Sequence, residues 1–160
     1  MIKTISYISP FLRLHRWDAA AIAFFGYLFG VSRHRGLAAG DMLPAAALAL
    51  VSTNFIYSLN AYTDRRIDAI GKPHRPIPSG RISPGLALRY AFALLMLSVL
   101  YPPFLTADPA CLALFYLLPV LGVLYSAPPI RLRRYPPAAV ATISTGLVTP
   151  VLLGACMQSP

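Results

Sequence analysis

The chain has 160 residues, 57% of them hydrophobic and 12% charged, with a mean hydropathy of +0.62 and a formal net charge of +9. So few charges cannot cover a water-soluble surface of this size, which excludes a soluble globular enzyme. The basic residues are not interleaved with aromatics as in single-strand binders, so no nucleic-acid partner is expected.

In chain order, apolar stretches run over residues 17–32, 42–62, 86–105, 110–127 and 138–157. Each is near the ~20 residues that a membrane-spanning helix needs. The first is the shortest: its charge-free core runs from Ala19 to Ser32, and Arg13, Arg16 and Asp18 crowd its start. It reads as a span rather than a signal-peptide core, because basic residues follow it and no small-residue cleavage site does. After the second stretch comes NAYTDRRIDAIGKPHRPIPSGRIS, where Pro73, Pro76, Pro78 and Gly80 forbid a continuous helix beyond Asp68. Ser83 followed by Pro84 predicts a helix start, an N-cap and its first residue. Pro102 and Pro103 end or kink the third span, Pro128 and Pro129 close the fourth, and Pro136 and Pro137 precede the fifth. A transmembrane β-barrel would show alternating segments of about ten residues instead. The expectation is an all-α, polytopic transmembrane helical bundle of about five spans, forming one domain over residues 1–160.

Lys3, Arg13, Arg16, Arg65, Arg66, Lys72, Arg75, Arg81, Arg131, Arg133 and Arg134 all fall on one side of that bundle. Arg33 and Arg35 fall on the other, and Arg89 sits within the third span where it can snorkel. The positive-inside rule therefore predicts a cytoplasmic amino terminus in a plasma (inner) membrane, with the net charge facing anionic lipid. Arg131, Arg133 and Arg134 read as topological anchors, with contact to a phosphate group as the alternative.

Five residues are acidic, and none is Glu. Asn60, Asp64 and Asp68 stand at intervals of four, so on a helix they share one face over roughly 12 Å. Two carboxylates one turn apart repel unless a cation joins them. At a membrane surface this face suits Mg²⁺, which takes carboxylates, waters and the oxygens of a phosphate substrate. Lys72, Arg75 and Arg81 follow closely, as cationic partners for a diphosphate or, on position alone, as topological anchors. Without that context, Asp64 and Asp68 beside Arg65 and Arg66 would read as a solvated helix end. Arg16 is placed to reach a diphosphate from the first span or to snorkel. Asn54 is expected to bond a neighbouring helix. His15, His34 and His74 are scattered, which gives a zinc site little support. Cys111 and Cys156 both fall near outer span ends; a disulfide is geometrically conceivable, and two membrane-buried thiols are the commoner case.

NAYTDRRID, the continuation AIGKPHRPIPSGRIS, and YSAPPIRLRR from Tyr125 resemble the two signatures of the UbiA superfamily of intramembrane prenyltransferases. The resemblance covers roughly residues 10–157 and the first half of a typical member. It implies Mg²⁺-dependent transfer of an isoprenyl group from a prenyl diphosphate to an acceptor, often aromatic. Asp64 and Asp68 would be catalytic, and Asn60, Asp64 and Asp68 would hold the metal. Lys72, Arg75, Tyr125 and Arg16, with Asn60, would bind substrate. Tyr57, Tyr62, Tyr116 and Tyr125 are candidates to face an allylic cation. Ala61 stands where the family signature carries Asp, so one potential ligand is missing while three remain. Family members bring a second Asp-rich motif from a second half, whereas here no acidic residue follows Asp108. A fragment, a truncated product, or a second chain supplying the missing half would each account for that. The contrasting reading is a catalytically silent membrane protein that retains the bundle as a binding or assembly module.

Overall fold

A computed structural model describes residues 10–158, all helix, turn and loop with no strand among them. Lys3, counted above with the amino-terminal basic residues, lies outside the described residues. A short helical segment at residues 10–14 leads into α1 (Trp17–Ser32), α2 (Ala39–Gly71), α3 (Pro84–Leu100), α4 (Pro109–Ser126) and α5 (Pro136–Cys156). Four of these, α2 to α5, are long and apolar enough to cross a membrane, and α1 is a shorter apolar helix. At 1.5 Å per residue α1 extends roughly 24 Å, short of a hydrocarbon core of about 30 Å. The expected bundle is therefore present, with its first member the short one.

Local chemistry sets the helix starts. The Ser83 hydroxyl accepts the Leu86 N–H at 3.3 Å with Pro84 as first residue, and Asp108 accepts the Ala110 N–H at 2.8 Å ahead of Pro109. Where α2 ends, the Lys72 N–H donates to the Asp68 carbonyl at 2.7 Å and Pro73 stops the helix. The helix thus runs past the apolar stretch and carries Asn60, Asp64 and Asp68 on rigid backbone.

One feature of α2 has no sequence signature. Leu48–Thr53 form a π-helical turn, which shifts the register of everything after it relative to a plain α-helix. Asn54, fully buried, closes that turn: its amide donates to the carbonyls of Ala49 and Leu50 at 3.3 and 3.2 Å. Its oxygen accepts the Arg16 N–H at 3.3 Å, so the neighbouring helix that Asn54 bonds is α1, at its very start.

The closest helix pair is α1 and α5, which run parallel. Gly30 faces the Val151 carbonyl and Gly154 faces the Tyr27 carbonyl so tightly that a methyl group at either would overlap it. Small residues allow this backbone approach, the usual basis of helix association in lipid. Tyr27, Val31, Leu48, Phe115, Leu118 and Leu153 form the main core where α1, α2, α4 and α5 meet. Large apolar side chains such as Phe25, Phe92 and Val140 point outward, as expected against lipid. Thr142, Thr145 and Thr149 return their hydroxyls to carbonyls four residues back at 2.7 to 2.9 Å, leaving no bare polar group on α5 at those positions.

At the end of the bundle away from Asp64 and Asp68, Cys111 and Cys156 form a disulfide, with Cα atoms 5.7 Å apart. Of the two alternatives the sequence leaves open, the structure has the bridge rather than the commoner pair of thiols. The first turn of α4 and the last turn of α5 belong to antiparallel neighbours, so the two cysteines fall at one height. At that same end Arg35 pairs with the buried Asp41 at 2.7 Å.

Candidate active site

The loop after α2 is pinned as a unit. Ile77 and Ile82 bury against Leu14 and Ala87, and the Ile82 N–H donates to the Pro76 carbonyl at 3.0 Å. Gly80 turns the loop at φ +74°, a left-handed conformation that a Cβ disfavours. This folding aims Arg75 back at α2, where its Nη1 donates to Asp68 Oδ2 at 2.6 Å.

Asp68 and Arg75 line a cavity of about 430 Å³ together with Asn60, Arg13, Arg16 and Asp18. These charged and polar groups occupy one end. Tyr57 and Tyr125 contribute aromatic faces, and Ile22, Leu118, Ile143 and Leu147 contribute apolar surface from α1, α4 and α5. Arg16 spans two features of the mouth: its guanidinium pairs with Asp18 at 2.6 Å and sits 5.1 Å from the centre of the Tyr57 ring. The α5 wall consists in part of Thr142, Gly146 and Pro150, again at intervals of four on one face. The four-residue spacing of that polar and small-residue stripe is its only mark in the sequence.

Asp64 lies between Asn60 and Asp68 on the same helix, one turn from each. It is not part of the cavity lining; it meets the loop after α4 instead. Arg131 Nη2 approaches its Oδ1 at 3.3 Å, and Arg133 Nη1 pairs with its Oδ2. All three side chains are largely buried, 14% exposed for Asp64, 16% for Arg131 and 17% for Arg133. Burial, and then the adjacent Arg134 charge, lower the pKa of Arg133 from its ordinary value. Reading Arg131 and Arg133 as membrane anchors is therefore corrected, because both turn inward to a carboxylate; Arg134 is exposed as an anchor would be. The two signature segments meet a second time at Asn60, whose amide nitrogen lies 3.5 Å from the buried Ser126 hydroxyl.

Other expected residues go elsewhere. Lys72 is exposed at the C-cap of α2, away from the cavity lining, and Arg81 is exposed as well. Tyr62 packs on the Leu14–Ile77 cluster with the Arg65 guanidinium 4.2 Å from its ring centre. Tyr116 is nine residues from Tyr125 on one helix, about 180° around the axis, and its hydroxyl donates to the Val99 carbonyl at 3.3 Å. Neither tyrosine faces the cavity.

Two signature segments from separate loops thus converge on one face of α2 at the polar end of a largely apolar cavity. The sequence profile described as the UbiA prenyltransferase family matches residues 19–160. The chain belongs to the UbiA prenyltransferase family. UbiA members include digeranylgeranylglyceryl phosphate synthase of Methanothrix thermoacetophila, 40% identical over 103 residues covering 64% of this chain and 37% of that protein. A probable homogentisate phytyltransferase 2 of Oryza sativa subsp. japonica is 40% identical over 104 residues, 61% of this chain and 26% of that one. Chlorophyll synthase of the same plant is 37% identical over 87 residues, 51% and 23% of the two chains. A solved structure described as a digeranylgeranylglyceryl phosphate synthase in membranes superposes with a TM-score of 0.83 at 23% identity, over 99% of this chain and 55% of that chain. The UbiA fold is thereby shown, and the chain is an integral membrane protein. It spans about half the length of that solved relative and aligns with 37% or less of these three curated ones.

Proposed function

We propose that this chain forms the diphosphate-binding half of a membrane prenyltransferase, holding an isoprenyl diphosphate with Mg²⁺ at the polar end of the cavity for transfer to an acceptor. The observation that carries the reading is the placement of Asn60, Asp68 and Arg75 at one end of a cavity whose remaining wall is apolar and aromatic.

The donor set fits a hard cation. Asn60, Asp64 and Asp68 offer only oxygen ligands on consecutive turns, and Asn60 Oδ1 accepts no hydrogen bond among the described residues. When bound, a divalent cation neutralises the diphosphate and makes it a better leaving group. Arg75, with Arg13 and Arg16 at the same end, supplies guanidinium donors matched to phosphate oxygens. Tyr57 and Tyr125 present ring faces to the allylic cation left behind, each worth on the order of 1 to 2 kcal/mol. Apolar side chains of α1, α4 and α5 take the isoprenoid tail and exclude water from the cation. An electron-rich acceptor then attacks and loses a proton. Lys72 has no part in this arrangement. The same reading has the Asp64 end of the bundle and the amino terminus in the cytoplasm and the disulfide end in an oxidising compartment, since basic residues favour the first and a disulfide persists in the second.

The test is binding of radiolabelled geranylgeranyl diphosphate to the purified chain in lipid nanodiscs. Saturable binding that requires Mg²⁺ and disappears in the Asp64→Asn/Asp68→Asn double variant is expected. Binding indifferent to both Mg²⁺ and those substitutions would overturn the proposal.

A further inference from the structure

Every carboxylate on the metal-facing side of α2 already has a guanidinium partner. Asp68 has Arg75, and Asp64 has both Arg131 and Arg133. Within these ion pairs three guanidiniums against two carboxylates leave one net positive charge in a mostly buried place, whereas Arg13, Arg16 and Asp18 at the same end are exposed and screened by solvent. A divalent cation arriving alone would raise that to three. A diphosphate monoester arriving alone, with about three negative charges at neutral pH, would take it to minus two. Arriving together they bring it to zero, which is the state a poorly solvated site favours most.

Two further observations concern Arg131. Its Nε is buried and has no hydrogen-bond partner among the described residues, which leaves one donor of this guanidinium unsatisfied there. Its backbone stands at φ +48°, the left-handed region that a non-glycine residue rarely adopts, at the residue that directs the side chain to Asp64. An unpaired buried donor beside a carboxylate already shared with Arg133 calls for an additional oxygen acceptor.

We propose that Arg131 and Arg133 are exchangeable partners of Asp64. They hold the carboxylate while no diphosphate is present, and they pass to phosphate oxygens when a divalent cation takes the carboxylate, so cation and diphosphate bind as a pair and each binds poorly alone. Asp64 stands one turn from both Asn60 and Asp68, which line the cavity, so the transfer is a side-chain movement with no change in α2. The inference rests on the functional reading above and adds to it an order of events. The ion pairs keep a bare cation out of the site.

The test uses Mn²⁺ as a paramagnetic stand-in and inorganic pyrophosphate as the anion, with protein-bound Mn²⁺ measured by electron paramagnetic resonance on the purified chain in nanodiscs and corrected for the Mn²⁺–pyrophosphate complex. In the unsubstituted protein, pyrophosphate is expected to tighten Mn²⁺ binding by about tenfold or more. Arg133→Gln and Arg131→Gln are expected to bind Mn²⁺ alone about tenfold more tightly than the unsubstituted chain and to lose most of that coupling. Equal Mn²⁺ affinity with and without pyrophosphate in the unsubstituted protein, an arm that needs no variant to fold, overturns the exchange. If that Mn²⁺ signal is still removed by Asp64→Asn, the divalent-cation reading survives the loss. Coupling that persists unchanged in both arginine variants also overturns it, since the coupling then has another origin. Absence of bound Mn²⁺ under every condition overturns the exchange and the functional reading together.

Discussion

Arg75 reaches back across the end of α2 to place its guanidinium 2.6 Å from the Asp68 carboxylate. The contact joins a helix that a proline stops to a loop that two isoleucines bury. Asp68 is 9% exposed by side chain and Arg75 32%, so the pair is desolvated on the acid side and still reachable from the cavity.

Removing one member should therefore cost more than removing both. Arg75→Gln is expected to destabilise the purified protein by about 1 to 3 kcal/mol, because a nearly buried carboxylate loses its charged partner. The Arg75→Gln/Asp68→Asn double variant should recover part of that loss. Thermal unfolding of the unsubstituted protein, Arg75→Gln, Asp68→Asn and the double variant in one detergent checks this; equal losses in Arg75→Gln and the double variant would contradict it.

The parallel seam of α1 and α5 makes a second prediction. Gly154→Val inserts a branched side chain against the Tyr27 carbonyl, and Gly30→Val does the same against Val151. Each should lower stability by about 1 to 3 kcal/mol or more, through overpacking that the touching backbones cannot relieve. Gly71→Ala, at a position with open space around it, serves as the control and should change little.

The Cys111–Cys156 bridge closes a loop of 45 residues between the ends of α4 and α5 remote from Asp64. Reduction should lower the unfolding temperature by an amount corresponding to about 2 to 4 kcal/mol, mainly through the freer unfolded chain. A Cys111→Ser variant should show the lower value with or without reductant. Maleimide should label the unfolded, unreduced chain at neither cysteine and the reduced chain at both; labelling without reductant would show that the bridge is absent.

His15 supplies a pH dependence outside the spans. Its Nε2 contacts the Tyr90 hydroxyl, its Nδ1 is buried without a partner among the described residues, and burial lowers its pKa from 6.5. A depressed histidine favours the neutral form in the folded state, so its share of stability is present above pH 6.5 and is lost as pH falls toward the folded value. Unfolding temperature measured from pH 8 to pH 5 should drop below about pH 6.5. His15→Gln should flatten that drop, and an identical pH profile in the variant would exclude His15 as its source.

Much of this arrangement was legible because its causes are local. Apolar runs of spanning length, Ser83 as a cap with Pro84 at N1, and a proline-rich stop after Asp68 all act within a few residues of where they stand. The four-residue spacing of Asn60, Asp64 and Asp68 needed only helical geometry to share a face. Tyr116 shows the limit: position along the chain placed it near a candidate site, whereas the packing of Phe115 inward turned it toward Val99. The π turn at Leu48–Thr53 likewise left no mark that composition or periodicity could show, since an extra residue per turn is tolerated only where neighbours such as Asn54 satisfy the loosened carbonyls.

From its residues alone this polypeptide was bound to be a basic, helical membrane chain with an acidic helix face at its more positive end, because hydropathy, charge and capping are written residue by residue. Only tertiary packing decided that Arg131 and Arg133 meet Asp64, that Cys111 meets Cys156, and that Lys72 stays outside the cavity lining. Those outcomes depend on which helices become neighbours and at what height, and that is settled by backbone contacts such as Gly30 on Val151, far along the chain from the residues they bring together.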